Sequence, residues 1–122
     1  MRGDLKIIKI GVRPLEWLDP KVSGKAPLAR MNATLTFQES LNILLLFGGQ
    51  NTKTGRIFND IFLLDLDSFC WHEVIMYDEM PIERHCHSTI IFDNMLIVFG
   101  GMGNNKFIGS DLYLINMGKD HS

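Results

Sequence analysis

The chain has 122 residues and a nearly balanced charge, with 12 lysine and arginine residues, 14 aspartate and glutamate residues and a net charge of −2. This balance, with no basic stripe, gives no electrostatic support for nucleic-acid binding, and no apolar run reaches membrane-spanning length. Hydrophobic residues make up 46% of the chain, which favours a folded core over disorder. No apolar segment follows Met1, so we expect no signal peptide, and the two cysteines, Cys70 and Cys86, fit a reduced chain in the cytoplasm.

Short apolar segments bounded by Gly, Asn, Asp or Pro follow one another along the chain, a pattern typical of β-strands rather than helices. They lie at residues 41–47, 61–66, 90–92 and 95–99. Glu39-Ser40 and Asp93-Asn94 separate paired segments and predict hairpin turns, because Asn and Asp tolerate the positive φ of a tight hairpin. No stretch shows sustained helical periodicity. The sequence therefore predicts an all-β fold with antiparallel strands.

One set of motifs occurs twice in the same order. Each copy has Pro-x-x-Arg, then Phe-Gly-Gly, then Asn-Asp or Ser-Asp, and the two copies are about 50 residues apart. The first copy consists of 27–30, 47–49 and 59–60, and the second of 81–84, 99–101 and 110–111. Trp71 follows the first copy, and Trp17 stands one repeat length before Trp71. A repeat of this length with strand patterns indicates the blades of a β-propeller.

The ordered motifs resemble the kelch repeat over nearly the whole chain. The resemblance implies four-stranded antiparallel blades, with residues 1–26 the end of a preceding blade, 27–80 a complete repeat and 81–122 an incomplete following repeat. One departure is Ala33, which stands where the second copy has His87. Propellers have about 4–8 blades, whereas this chain supplies about two and a half repeats. We therefore expect a portion of a longer propeller, or one protomer of a propeller built from several chains, with exposed apolar faces and strand edges.

The resemblance also assigns nine residues to the structural core of the repeats. The glycine pairs end the second strand of each repeat, where positive φ and close backbone approach are needed. The tryptophans are expected to pack their large apolar faces between blades. The nine residues are Trp17, Gly48, Gly49, Asp60, Trp71, His87, Gly100, Gly101 and Asp111.

One segment, His85-Cys86-His87, is rich in metal-ligand residue types. On a strand, His85 and His87 would share one face and Cys86 would lie on the other, which makes half a metal site at best. Ser88 cannot pair catalytically with His87, because adjacent strand residues face opposite ways. We therefore expect no metal, no cofactor and no catalytic residue, and we expect that the chain is not an enzyme. A metal-dependent enzyme remains an alternative that elemental analysis would test.

The polar loops that join the second and third strands are the candidate binding surface, at residues 50–58 and 102–109. The resemblance leaves two roles open for Arg30 and Arg84: a structural hydrogen bond to a carbonyl of a neighbouring blade, or a grip on an acidic partner residue. The candidate partner-binding residues are Arg30, Arg84, Asn51, Lys53, Arg56, Asn104 and Lys106.

The function implied by these observations is a non-catalytic scaffold that binds protein partners through its strand-connecting loops. We expect protein partners and the remaining propeller blades as its contacts, and neither nucleic acid nor membrane. The alternative is a regulatory or targeting kelch domain of a larger enzyme, such as a phosphatase or a ubiquitin-ligase adaptor. The length of the native polypeptide separates the two.

Overall fold

A computed structural model describes residues 5–11, 16–76, 81–104, 106–107 and 112–116 of the chain. Every regular element in this part is a β-strand. None of the described segments forms a helix that is long and apolar enough to cross a membrane. The prediction of an all-β, antiparallel fold made of kelch blades is confirmed.

The larger sheet, here called the central blade, contains the first copy of the repeat. Its four main strands are antiparallel neighbours in chain order. They are β4 (Thr34–Gln38), β5 (Ile43–Phe47), β6 (Ile61–Asp65) and β7 (Cys70–Val74). The predicted apolar segments 41–47 and 61–66 correspond to β5 and β6, except that Leu41 and Asn42 belong to the turn before β5.

The second sheet, here called the following blade, contains the second copy of the repeat. Its strands are β8 (Ser88–Phe92), β9 (Met95–Phe99) and β12 (Leu112–Asn116), with β9 in the middle. The turn between β8 and β9 is the predicted Asp93-Asn94 pair, with φ of 50° and 60°. Two successive residues at positive φ make the turn whose twist matches that of the strands on either side.

Two small hairpins complete the described strands. They are β1 (Ile7–Ile8) with β2 (Trp17–Leu18), and β10 (Met102–Gly103) with β11 (Lys106–Phe107). The first hairpin lies in the segment predicted to end a preceding blade. Trp17, which was predicted to pack between blades, is 68% exposed in this hairpin. Among the described strands, β2 pairs only with β1, so the indole has no sheet face to pack against.

A fifth strand, β3 (Ser23–Gly24), lies parallel to β7 at the outer edge of the central blade. A Cβ on Gly24 would lie 2.2 Å from the carbonyl oxygen of Trp71, and φ is +81°, so the close approach requires glycine. Lys25 supports the pairing with a 2.5 Å ion pair to Glu73 of β7. The sequence interpretation placed residues 1–26 in the preceding blade. Ser23 and Gly24 instead pair with the sheet of the complete repeat.

The hydrophobic core lies between the two blades. Side chains alternate across a strand, so Ile43, Leu45 and Phe47 of β5 all face the following blade. From the other side, Leu96 and Val98 of β9 meet them. Burying each of these side chains contributes about 1.5–3 kcal/mol to stability. Apolar packing of one sheet face on the next therefore contributes to holding consecutive repeats together.

The opposite face of the following blade is apolar and exposed. Phe99 occupies the position in its Phe-Gly-Gly motif that Phe47 occupies in the first copy, yet Phe99 is 48% exposed and Phe47 is 1% exposed. Further apolar residues with exposed side chains share this blade: Ile90, Phe92, Leu112 and Leu114. An exposed apolar face of this kind was expected from an incomplete propeller, because a blade buries its faces only against neighbouring blades.

Candidate functional site

The loop after β5 is a closed turn held by its own backbone and by Asn51. The Asn51 side-chain oxygen accepts hydrogen bonds from the amides of Lys53 (3.0 Å) and Thr54 (3.3 Å). The Asn51 amide donates to the Arg56 carbonyl at 2.9 Å, and the Gly55 amide donates to the Asn51 carbonyl at 2.8 Å. These internal hydrogen bonds fix the conformation of the loop. Residues of the loop other than Asn51 form the surface that a partner could contact.

The predicted partner-binding residues of the loops have different exposures. Lys53, Arg56 and Asn104 are exposed, whereas Asn51 is half-buried. The Arg56 guanidinium lies 4.8 Å from the centre of the Phe58 ring, which fixes its direction while leaving it in solvent. Lys106 belongs to β11, and its side chain lies outside the described residues.

Apolar side chains lie beside these polar loops, at the end of the blades where the first strands begin. Met31 pairs with Gln50, and His85 of the next repeat pairs in the same way with Met102. The apolar residues with exposed side chains in this region are Leu28, Met31, Ile82 and Met102. This surface, here called the loop end, thus combines exposed basic groups with apolar side chains. Mixtures of this kind are typical of protein-interaction surfaces.

The Arg30 side chain makes its contacts inside the central blade. Its guanidinium forms two hydrogen bonds with the Asp60 carboxylate, at 2.5 and 3.2 Å, and donates to the Gly48 carbonyl at 3.1 Å. It also stacks 3.9 Å from the centre of the Phe58 ring, and its side chain is only 4% exposed. These contacts favour the structural role that the sequence left open. They also place Asp60 of the predicted core in contact with Arg30.

Arg84 is buried even more completely, with 0% exposure. Its guanidinium donates to the carbonyls of Gly100 (3.1 Å) and Ile82 (3.0 Å) within the following blade. Its backbone joins the blades, because its amide donates to Phe58 and its carbonyl accepts from Gly49. A partner carboxylate cannot reach a guanidinium that solvent does not reach. The partner-binding interpretation of Arg84 is therefore corrected in favour of a structural one. The sequence could not distinguish the two roles, because the same planar guanidinium serves both.

The glycine pairs follow β5 and β9 with positive φ, and Gly48 lies against the following blade. Gly48 and Gly49 have φ of 71° and 106°, and Gly100 and Gly101 have 69° and 103°. A Cβ on Gly48 would lie 2.6 Å from the Arg84 carbonyl oxygen and 2.6 Å from the His87 ring. Both predicted reasons for glycine, positive φ and close approach, thus apply at Gly48. Trp71 of the predicted core is half-buried in β7, and Asp111 lies outside the described residues.

His87 sits in the contact between the blades. Its Nε2 lies 3.0 Å from the Phe47 carbonyl oxygen and 2.9 Å from the Thr34 hydroxyl, and its Nδ1 is buried with no hydrogen-bond partner among the described residues. A carbonyl only accepts, so Nε2 carries the proton. Burial lowers the pKa of His87 to about 4; the hydrogen bond to Phe47 raises it, and the charges of Arg84 and His85 lower it.

The structure corrects the predicted geometry of the His85-Cys86-His87 segment. Cys86 has φ of 59°, so the segment is not a regular strand and side-chain alternation does not apply. His85 Nδ1 lies 3.4 Å from Cys86 Sγ, whereas His87 is turned into the blade contact. Within the described part of the chain, no three His, Cys, Asp or Glu side chains are placed to hold a metal ion.

A ladder of polar contacts between β4 and the following blade was not predicted. Beyond the Thr34–His87 contact, the Thr36 and Thr89 hydroxyls lie 2.6 Å apart, and Gln38 Nε2 donates to Asn94 Oδ1 at 2.8 Å. The signal was present in the sequence, because Thr34, Thr36 and Gln38 alternate with Leu35 and Phe37. The alternation shows that one side of β4 faces polar neighbours, but only the structure identifies them.

Comparison with known proteins gives a match over nearly the whole chain. The model of the KLHDC2/KLHL20/DRC7 kelch-repeats domain matches residues 3–121. The chain is 30% identical over 102 residues to acyl-CoA-binding domain-containing protein 5 of Arabidopsis thaliana, covering 83% of this chain and 15% of that protein.

Two other relatives are similarly distant. The chain is 35% identical over 95 residues to a probable serine/threonine-protein kinase of Dictyostelium discoideum, covering 75% of this chain and 7% of that protein. It is 31% identical over 87 residues to dynein regulatory complex subunit 7 of Chlamydomonas reinhardtii, covering 71% of this chain and 7% of that protein. The chain thus spans only a small part of the length of each relative.

Proposed function

This chain belongs to the kelch-repeat family, whose repeats form protein-interaction domains, and from that premise we propose that it is part of a non-catalytic scaffold that binds a protein through its loop end. One observation carries the proposal: the loop after β5 is closed by Asn51 while Lys53 and Arg56 project into solvent. A surface shaped in advance loses little conformational entropy when it binds. The exposed methionines beside it suit a partner with both apolar and acidic groups.

The remaining propeller blades are part of the proposal. The exposed apolar face of the following blade corresponds to the buried face of the central blade, so we propose that another blade packs there, from a longer chain or from another protomer. Residues 27–80 and 81–122 are proposed as the repeat units. Cys70 and Cys86 are both free thiols, which supports a reducing, cytoplasmic location.

The loop end is tested by removing its exposed cations. In the native polypeptide, Lys53→Ala combined with Arg56→Ala is expected to reduce partner recovery about five- to tenfold at low salt, because exposed charge contacts contribute up to about 1 kcal/mol each. The melting temperature should stay nearly unchanged, since both side chains are exposed. The effect should shrink at high salt, which screens surface charges. The measurement is quantitative affinity purification at two salt concentrations.

A matched control removes two other exposed lysines, Lys9 and Lys21, which lie outside the loop end. The control carries the same change in net charge. Equal loss of partner in both variants would show a general charge effect, and unchanged recovery from the loop variant would place the binding surface elsewhere.

A second candidate is that the chain is the regulatory or targeting domain of a larger enzyme. It is supported by the similarity to a probable protein kinase of which this chain covers 7%. The native polypeptide decides between the candidates: a catalytic domain on the same chain, with an activity that the loop variant alters, would favour the regulatory role.

A further inference from the structure

Two arginine side chains lie over the ring of Phe58. The guanidinium carbon of Arg30 is 3.9 Å from the centre of the ring, and that of Arg56 is 4.8 Å from it. The charge of Arg30 is balanced by the carboxylate of Asp60. Arg56, in contrast, is exposed, and its guanidinium has no hydrogen bond or ion pair to any residue that the structure describes. Its N–H groups are therefore available to an acceptor outside the chain.

The ring is a fixed support for the Arg56 side chain. Phe58 is only 3% exposed. Its amide donates to the Gly49 carbonyl at 2.9 Å and its carbonyl accepts from the Arg84 amide at 3.1 Å, so both repeats hold its backbone. The backbone of Arg56 is held as well, because its carbonyl accepts from the Asn51 amide at 2.9 Å. The backbone at both ends of the stacked pair is thus fixed.

The stacking orients Arg56 before any partner arrives. A long side chain that becomes ordered on binding loses rotamer freedom, and this loss weakens most exposed ion pairs. The contact with Phe58 already restricts Arg56, so the loss on binding is smaller. Lys53 is the other exposed cation of this loop, and its ammonium group has no hydrogen bond or ion pair to a described residue that would orient it. The two cations of the loop therefore differ in pre-organisation.

The charge and the shape of the site both favour a carboxylate. Residues 50–58 contain two basic residues and no Asp or Glu, so the potential of the loop is positive. A guanidinium that stacks through its flat face keeps its N–H edge free. That edge can donate two parallel hydrogen bonds to one carboxylate, which the ammonium group of a lysine cannot do while stacked flat on a ring.

We propose that Arg56 is the anchor residue of the loop end, and that it binds the carboxylate of an Asp or Glu side chain on the partner protein. The proposal rests on the proposed role of the loop end as a binding surface. Its specificity comes from geometry as well as charge, since one face of the guanidinium stays on Phe58 while the edge bonds the carboxylate. Lys53 contributes its charge alone.

The probe is the peptide (Glu-Gly)₄, with (Gln-Gly)₄ as its uncharged counterpart, each titrated at low salt into the native polypeptide. The Nε–H NMR signal of Arg56 is expected to move with (Glu-Gly)₄ and to stay in place with (Gln-Gly)₄. The corresponding signal of Arg30 should not move, because Asp60 already accepts from that guanidinium. Arg56→Lys keeps the charge but loses the flat stack and the paired hydrogen bonds. It should weaken (Glu-Gly)₄ about fivefold, measured from the backbone amide shifts of the loop.

The matched control is the reverse exchange in the same loop, Lys53→Arg, which also keeps the charge. It should leave the dissociation constant of (Glu-Gly)₄ within about twofold of wild type, because Lys53 contributes no oriented hydrogen bond. The proposal is overturned by a stationary Arg56 signal, by an equal response to the two peptides, or by Arg56→Lys binding (Glu-Gly)₄ as tightly as wild type does.

Affinity purification separates the anchor from the loop end as a whole. Arg56→Lys is expected to reduce partner recovery about fivefold although the net charge is unchanged. Wild-type recovery from Arg56→Lys, together with a loss from the double variant Lys53→Ala and Arg56→Ala, would overturn the anchor and leave the loop end as a binding surface. Unchanged recovery from both variants would overturn the loop end and the anchor with it.

Discussion

Replacing Asp60 with alanine is expected to lower the free energy of unfolding by about 3–5 kcal/mol, the cost of leaving a buried charge without its partner. The Arg30 side chain is 4% exposed, and Asp60 accepts two of its hydrogen bonds. Without the carboxylate, the guanidinium keeps its stacking on Phe58 and its bonds to backbone carbonyls but loses its counter-charge. Urea-induced unfolding of the native polypeptide measures the change.

The chain contains a matched control for this prediction. Lys6 and Asp19 form an ion pair at 2.6 Å in which both side chains are largely exposed. Asp19→Ala should therefore cost less than about 1 kcal/mol, as is usual for surface pairs. If the two variants lose equal stability, the Arg30–Asp60 pair is not the buried anchor that its geometry indicates.

Acidification is expected to weaken the contact between the blades through His87. Its pKa is about 4 in the folded protein against 6.5 in an unfolded chain, so folding favours the neutral imidazole. The contribution of this preference to the free energy of unfolding is fully present above pH 6.5. It is lost as the pH falls from 6.5 towards 4. From pH 7 to pH 5 the loss from this one group is about 2 kcal/mol. The physical cause is that protonation would place a charge and an N–H at the buried Nδ1.

The test compares the pH dependence of unfolding free energy in wild type, His87→Gln and the exposed-site control His72→Gln. Only His87→Gln should flatten the profile between pH 7 and pH 5. NMR titration of the His87 ring in the native polypeptide gives the same answer without a variant. An ordinary pKa near 6.5, or identical profiles in all three proteins, would contradict the account.

Much of the fold could be predicted because the repeat encodes it locally. Apolar runs between turn residues predicted β5, β6, β8 and β9, and the Asp93-Asn94 pair predicted its hairpin. The strand β3 could not be predicted in this way, since two residues carry no periodicity and its partner, β7, lies more than 40 residues away. The close approach to β7 requires Gly24, but a single glycine does not predict a strand.

The candidate site was harder to predict than the fold. A lysine in a polar loop and an arginine after a proline look equally available in a sequence, yet Lys53 is exposed and Arg84 is fully buried. What separates them is the neighbouring backbone, since the carbonyls of Gly100 and Ile82 accept from the guanidinium of Arg84.

The central claim is that the repeat motifs dock consecutive blades through their backbones, and amide hydrogen exchange tests it most directly. The Gly49 amide donates to Arg84, the Arg84 amide to Phe58 and the Cys86 amide to Asn32, each bond joining the two repeats at 2.9–3.1 Å. In the native polypeptide these three amides should exchange as slowly as the amide of Leu45 in the core of β5. Exchange as fast as that of Lys53 in the exposed loop would contradict the docked arrangement.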